Sequence, residues 1–232
     1  ANAADSQRER RALLMQANYV QRIRIKFSKV GATRFIGHLD VARALERALN
    51  RSRIPVAYTQ GYNPRPRMQF ASALPLGFTS EGELADVWLE EEVDPQQSQE
   101  QLAPKMPPGL NLHRVWEVPL SAPAMQASTV EATYEATVLD SLNREQVEER
   151  VQELLEAEEL IRERRGKAYD LRPLVLALTV DETEDGELLL TMRLALLPGA
   201  TGRPDEVVSQ LGMDPLGLRM HRKAIVLEDD GG

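Results

Sequence analysis

Val20-Gln21-Arg22-Ile23-Arg24-Ile25-Lys26-Phe27-Ser28-Lys29 decides how the first half of this chain is read. Ile23, Ile25 and Phe27 alternate with Arg22, Arg24, Lys26 and Ser28. A period of two puts the apolar side chains on one face of a β-strand and the cations on the other. The stretch therefore predicts a half-buried strand with a basic outer face.

Beyond Gly31, which opens a loop, Asp40 is placed to cap a helix over roughly Val41–Ser52, with Val41, Leu45, Ala48 and Leu49 on its apolar side. Ile54–Thr59 reads as a second strand, and Gly61-Tyr62-Asn63-Pro64-Arg65-Pro66-Arg67 breaks regular structure. Met68–Leu74 is extended, Pro75 and Gly77 turn the chain, Leu84–Leu89 is a strand, Pro95–Met106 a short helix and Leu110–Val118 a closing strand. That order, β-α-β-β-α-β, is the ferredoxin-like arrangement.

Leu120–Ser128, rich in Ser, Ala and Pro, reads as a linker, and a second set follows it. Tyr134–Leu139 alternates as a strand. Asn143 caps a long helix reaching about Arg165, with Val147, Val151, Leu154, Leu155 and Ile161 as its apolar stripe. Leu174–Val180 and Leu188–Leu196 pair around Glu184-Asp185-Gly186, Pro204–Leu211 is a short helix and Leu218–Leu227 the last strand. The expectation is an α+β chain of two tandem ferredoxin-like (βαββαβ) domains. A linker or extension occupies 1–19, a basic domain 20–120, a linker 121–128 and a second domain 129–232, each domain separately compact.

Charge is unevenly distributed. Between Gln21 and Ser72 lie eleven basic residues and only two acidic ones, Asp40 and Glu46, although the whole chain of 232 residues is net −8. Segregation of this kind costs self-repulsion and points to an anionic partner, phosphate first. Arg43, Arg47 and Arg51 recur every fourth residue and form a stripe. In the Gly61–Arg67 loop, Pro64 and Pro66 restrict the backbone and Gly61 and Asn63 tolerate positive φ. The loop thus holds Arg65 and Arg67 outward as guanidinium forks for phosphate, with Tyr62 as a stacking platform. The alternative is a rigid turn with solvated arginines. Arg34, Arg43, Arg47, Tyr62, Asn63, Arg65 and Arg67 are the candidate anion- and RNA-binding residues.

His38 is the one candidate for acid–base work, since its pKa lies near neutrality; the alternative is a histidine hydrogen-bonded to the loop backbone. Glu83 and Asp86 can pair with arginines or bind a divalent cation, and ion pairing is the better reading. The acidic run from Glu81 to Asp94 reads as a solvated strand edge. Lys167, Asp170 and Arg172 form either a polar cluster at the domain junction or a simple connection with Asp170 tied to Arg172. Arg162, Arg164 and Arg165 complement the dipole of the long helix. Gly199–Pro204 opens a helix with two glycines but has no P-loop spacing.

The chain has no cysteine and its three histidines are scattered, so it holds no disulfide, thiolate nucleophile, iron–sulfur cluster or His-based metal site of its own. Metal ligands and cofactors are expected to be none. No run approaches the ~20 apolar residues of a membrane span, and the polar Ala1–Gln16 start is not a signal peptide. A cytoplasmic protein is expected, with no membrane partner.

Lys29-Val30-Gly31, Arg34-Phe35-Ile36-Gly37-His38-Leu39-Asp40, Glu46-Arg47-Ala48, Gly61–Arg67, Leu74-Pro75-Leu76-Gly77 with Ser80, Glu83 and Asp86, and Asp170-Leu171-Arg172-Pro173 resemble the radical SAM-linked proteins, a bacterial domain of unknown function. The resemblance implies a radical SAM protein, fused or adjacent, as partner, and any radical chemistry would belong to it. The expected function is an accessory RNA-binding module presenting structured RNA to that partner for modification or processing, more plausibly without catalysis of its own. Two alternatives stay open: an enzyme using His38 on RNA or a phosphorylated small molecule, and a protein–protein adaptor docking an acidic partner.

Overall fold

The computed structural model describes residues 18–139, 142–164 and 166–228. The expected N-terminal extension as far as residue 17, and Arg165, lie outside them. The described residues form a mixed α+β structure with five α-helices, a nine-stranded sheet and a separate two-stranded one.

The alternating stretch forms β1, Gln21–Lys29, and puts Ile23, Ile25 and Phe27 into a core. The helix after it, α1, runs His38–Arg51 and buries Val41, Leu45, Ala48 and Leu49 on that core. It starts three residues earlier than expected. Gly37 is its N-cap, and Asp40 sits in the exposed first turn facing Arg43 at 3.5 Å. There it still favours the helix dipole.

Ile54–Thr59 is not a ladder strand; it makes only isolated bridges, Val56 to Leu89 and Tyr58 to Pro66. Pro55 and Pro66 lack the N–H groups a continuous ladder needs. β2 is Met68–Phe70, β3 is Thr79–Leu89 and β4 is Leu110–Glu117. Between the last two lies α2, Pro95–Leu102, opened by Asp94, which accepts a hydrogen bond from Gln96 N, and by Pro95 in the first turn.

The expected linker contains a short helix, α3, Met125–Ser128, with Met125 fully buried. β5 is Thr129–Val138, and α4 is Arg144–Glu156, capped by Asn143 as expected. This helix ends well before Arg165. Glu153, Glu156, Glu158 and Glu159 crowd negative charge onto its C-terminus, where the dipole disfavours it. The residues expected to continue it form a hairpin, β6 (Ile161–Arg164) with β7 (Lys167–Asp170). Arg162 pairs with Glu206 at 2.9 Å and does not serve the helix end. β8 (Val175–Glu182), β9 (Leu188–Leu197), the two-residue β10 (Ala200–Thr201), α5 (Pro204–Gln210) and β11 (Leu218–Leu227) complete the chain.

The strands of the two halves do not make two sheets. The order β10-β9-β5-β11-β3-β1-β4 is continuous, with β8 also on β9 and β2 also on β3. One edge of β3 carries β1. The other is shared: β2 pairs with Ala85–Val87, and β11 takes Thr79 and Ser80, opposite His221 and Arg222. The β3–β11 contact is parallel, whereas every other ladder between described strands is antiparallel. It fuses two cores, one around Ile25 and Leu45 and one around Leu190 and Val207, and the second takes in Ala71, Leu74, Phe78 and Leu84 from the first half.

Two bulges meet at the seam. Phe27 faces Glu83 and Lys29 faces Ser80, so two steps on β1 match three on β3. Arg222 faces Tyr134 and Ala224 faces Thr133, so β11 carries its own extra residue, Lys223. Gly82 in the β3 bulge lies against Lys223; a Cβ there would stand 2.7 Å from the Lys223 carbonyl oxygen. Backbones approach this closely only where one residue lacks a side chain. Gly82→Ala is therefore expected to lower the unfolding free energy by about 1–3 kcal/mol through overpacking, read by urea denaturation. Unchanged stability would mean that the two strands do not touch at this point.

Candidate functional site

β1 places its cations differently from the sequence expectation. Arg22 and Arg24 are buried, 1% and 8% exposed, on the sheet face away from α1. Asp86 of β3, fully buried, accepts from both: from Arg22 Nε at 2.8 Å and Arg24 Nε at 2.7 Å, with a further close contact from Arg22 Nη2. The spare Arg22 donors go to the carbonyls of Ala122 (2.8 Å) and Pro123 (3.0 Å), which tie the expected linker down across this face. Glu83 and Asp86 therefore serve as ion-pair partners, and these two members of the acidic run are interior, not a solvated edge.

On the opposite face, at the seam, Glu83 accepts from Arg222 Nε at 2.9 Å and Nη2 at 2.6 Å, and Nη2 also donates to Ser72 O at 3.2 Å. Because of the β3 bulge, Ser80 shares this face with Glu83. Ser80 is flanked by Lys29 on β1 and Arg222 on β11. All four residues are at most 5% exposed. Burial lowers the Lys29 pKa, with Glu83 opposing and Arg222 adding to the fall. Burial also works against the Arg222 charge, but Glu83 and Tyr134 hold that pKa above its usual range.

His38, in the first turn of α1, leans edge-on against Phe70 with centroids 4.9 Å apart. Its pKa is lowered, first by burial; Glu83 opposes this, and the Arg222 and Lys29 charges reinforce it. The structure thus brings His38 to the buried charges, which spacing in sequence did not reveal. Among the described residues no group of three or more His, Asp or Glu could hold a metal ion.

The remaining sequence candidates divide between two sides. Arg43, Arg47 and Arg51 are exposed on α1, and Arg51 Nη2 donates to Lys105 O at 2.7 Å, bringing Lys105 beside the stripe. Thr59–Arg65 is the tip of a hairpin closed by the Tyr58–Pro66 bridge, and the Tyr58 hydroxyl donates to Asn50 Oδ1 at 3.1 Å, which ties the tip to the last turn of α1. Tyr62 is fully exposed, and Asn63 and Arg65 are exposed with it. Gly61 takes positive φ (149°) as expected, but Asn63 does not; the non-glycine positive φ falls on Arg53 (59°), just past α1. Arg34 is half-buried against the Phe35 ring at 4.7 Å. Arg67 turns to the other face. It lies 5.1 Å from the Tyr19 ring, in a cleft of about 450 Å³ that Arg22 and Trp88 also line.

In the second half, Asp170 and Arg172 do not form an ion pair. Asp170 Oδ1 accepts from Leu160 N and Arg172 N, while the Arg172 guanidinium donates to Leu155 O at the end of α4 and to Val175 O. The Asp170-Leu171-Arg172-Pro173 motif is thus a staple for the C-terminus of α4. Arg164, Tyr169 and Arg203 line a separate cleft of about 530 Å³ with Gly199–Thr201.

Residues 22–204 match the family described as "Uncharacterized protein conserved in bacteria (DUF2344)". The chain belongs to that family. No curated protein matches it. Among solved structures it is similar to a chain of a Cbf5-Nop10-Gar1 complex, at 12% identity over 88% of this chain and 47% of that one, with a TM-score of 0.46. It is similar also to a chain of the archaeal box H/ACA sRNP Nop10-Cbf5 complex, at 11% identity over 92% and 48%, with a TM-score of 0.41. This chain spans about half the length of those chains. It is further similar to the acetolactate synthase small subunit from Thermotoga maritima, at 10% identity over 89% and 95%, with a TM-score of 0.24. No described helix is long and apolar enough to cross a membrane.

Sequence reading missed Arg222 and Lys29 as site residues. Lys29 stood in the quoted alternation, four residues from Ile25, and its place on the apolar register was the available signal. Arg222 had none, since its partner Glu83 is 139 residues away.

Two measurements bear on this geometry. Asp86→Ala leaves two guanidinium groups buried without their carboxylate, at an expected cost of about 3–5 kcal/mol; a loss below about 1 kcal/mol in urea unfolding would show that water reaches them. His38 should titrate below 6.5 by NMR. Its neutral form is the one the fold favours, so protons bind the unfolded chain more readily and this contribution to stability is lost as pH falls from about 6.5 through the lowered folded pKa. A midpoint at or above 6.5 would contradict the packing.

Proposed function

We propose that this chain is an accessory module that binds structured RNA and works beside a radical SAM enzyme, fused or adjacent, which carries the iron–sulfur cluster. The observation that supports it is the exposed cationic surface of the first half. Arg43, Arg47 and Arg51 stand on the outer side of α1, Lys105 lies next to Arg51, and the hairpin tip with Arg65 and the fully exposed Tyr62 is tethered to the same helix end. Asp40 and Glu46 are the acids on that helix, and only Asp40 is within ion-pair reach of a stripe arginine. Phosphates fit such a stripe and an unstacked base fits the Tyr62 ring, the combination by which single-stranded loops of folded RNA are held.

The partner rests on the resemblance to radical SAM-linked proteins; because the sequence has no cysteine, the cluster is assigned to that partner. Each half lays its four long-range strands in the spatial order fourth, first, third, second, all antiparallel: β4-β1-β3-β2 and β11-β5-β9-β8. This supports two ferredoxin-like units joined at β3–β11 as the finer description of the fold.

Arg47→Ala with Arg65→Ala is expected to weaken binding to a stem-loop RNA and to reduce the slope of log affinity against log salt by about two, while leaving the urea midpoint nearly unchanged because both side chains are exposed. Tyr62→Ala should weaken binding by the loss of one stacking contact, about 1–3 kcal/mol. Fluorescence anisotropy across a salt series reads both effects. Absence of RNA binding by the wild type at low salt, alone and with the partner enzyme added, would overturn the proposal.

A further inference from the structure

The two buried charge clusters on β3 are built alike but finished differently. Each sets two cations against one carboxylate: Arg22 and Arg24 on Asp86, Lys29 and Arg222 around Glu83. In the first, the spare Arg22 donors end on the Ala122 and Pro123 carbonyls. In the second, Arg222 Nη2 ends on the Ser72 carbonyl, but Nη1 does not find an acceptor. Arg222 Nη1 and Ser80 Oγ are buried with no hydrogen-bond partner among the described residues, and no described residue accepts from the Lys29 ammonium or lies within ion-pair distance of it. Unpaired buried charge and unmet buried donors each cost free energy, so native structures retain such groups where something else completes them.

The geometry specifies what would complete them. Lys29, Ser80 and Arg222 stand on three adjacent strands, facing the same way, with Ser80 in the centre. Strands lie about 4.8 Å apart, so the Lys29 and Arg222 side chains start one strand to either side of the hydroxyl, close enough for both to reach one small oxyanion beside it. All of the unmet groups are donors or can donate. The cluster lies beneath His38, which is only half-buried. The segments on either side of it, 34–39 and 72–77, are held together by the Gly77 N to Arg34 O hydrogen bond and expose Phe35, Leu39 and Leu76.

We propose that the β3–β11 seam is a binding site for a small oxyanion, the phosphate or carboxylate of a ligand, held by Lys29, Ser80 and Arg222 under His38. This site is distinct from the exposed arginine stripe and independent of the RNA reading. The apolar rim of Phe35, Leu39 and Leu76 suits the remainder of a ligand whose anionic end is buried.

The probes are inorganic phosphate and acetate, added separately to the full chain in a chloride buffer. One of them is expected to raise the melting temperature by about 3–6 °C at roughly ten times its dissociation constant; which one does so distinguishes a phosphate from a carboxylate ligand. Lys29→Met with Ser80→Ala should abolish the rise, while Arg47→Ala with Arg65→Ala should keep it. In the wild type, where folding is not in question, the same anion should shift the His38 ring resonances saturably and leave those of exposed His113 in place. No stabilisation by either anion, an equal rise in the Lys29–Ser80 variant, or an unmoved His38 signal would each overturn the proposal.

Discussion

The Arg222–Glu83 pair is the contact on which the rest of this structure depends. β11 meets β3 over only two paired residues, in the one parallel step between described strands, and the bidentate guanidinium–carboxylate contact crosses that short joint in the interior. An ion pair out of water is stabilising only when its geometry is good and its partners are all present. Its directional requirement therefore selects a single register between the halves. The bulges on both strands and Gly82 at their crossing serve that register, because without the extra residues Ser80 and Glu83 would point to opposite faces.

That joint changes what the two halves are. The second core reaches into the first half for Phe78 and Leu84, and the Ala122–Met125 segment, clamped by Arg22 and buried at Met125, lies across the sheet. A segment whose carbonyls serve a buried guanidinium is part of the packing. The halves keep their own helices and hydrophobic clusters, yet they share a sheet, a strap and a buried charge cluster.

The basic window also separates into two populations with different work. Arg22, Arg24 and Lys29 spend their charge inside, and desolvation makes them structural or ligand-directed. Arg43, Arg47, Arg51 and Arg65, and with them Lys26 and Arg53, remain in water, where charge steers a partner at long range but contributes little to stability. An anionic macromolecule meets only the second group, so the surface relevant to RNA is smaller than the count of eleven suggested.

Most elements were legible from periodicity: the apolar faces of β1, α1 and α4, the cap at Asn143, and the turn at Gly186 all follow from spacings of two or three to four residues and from local backbone chemistry. Local signals also marked the Gly61–Arg67 tip and the exposed stripe of α1. The apolar stripe extended the expected α4 to about Arg165, but the helix stops at Glu156, where the acidic run opposes its dipole. Which of the alternating cations in β1 were buried could not be read locally, since a strand's polar face is equally compatible with water and with a carboxylate from a neighbouring strand. The sequence by itself determined the secondary structure and an excess of positive charge in one region. Only the tertiary structure decided where that charge went, because Asp86 is 64 residues from Arg22 and Glu83 is 139 from Arg222, and pairings across such distances arise from sheet register, which no short-range pattern encodes.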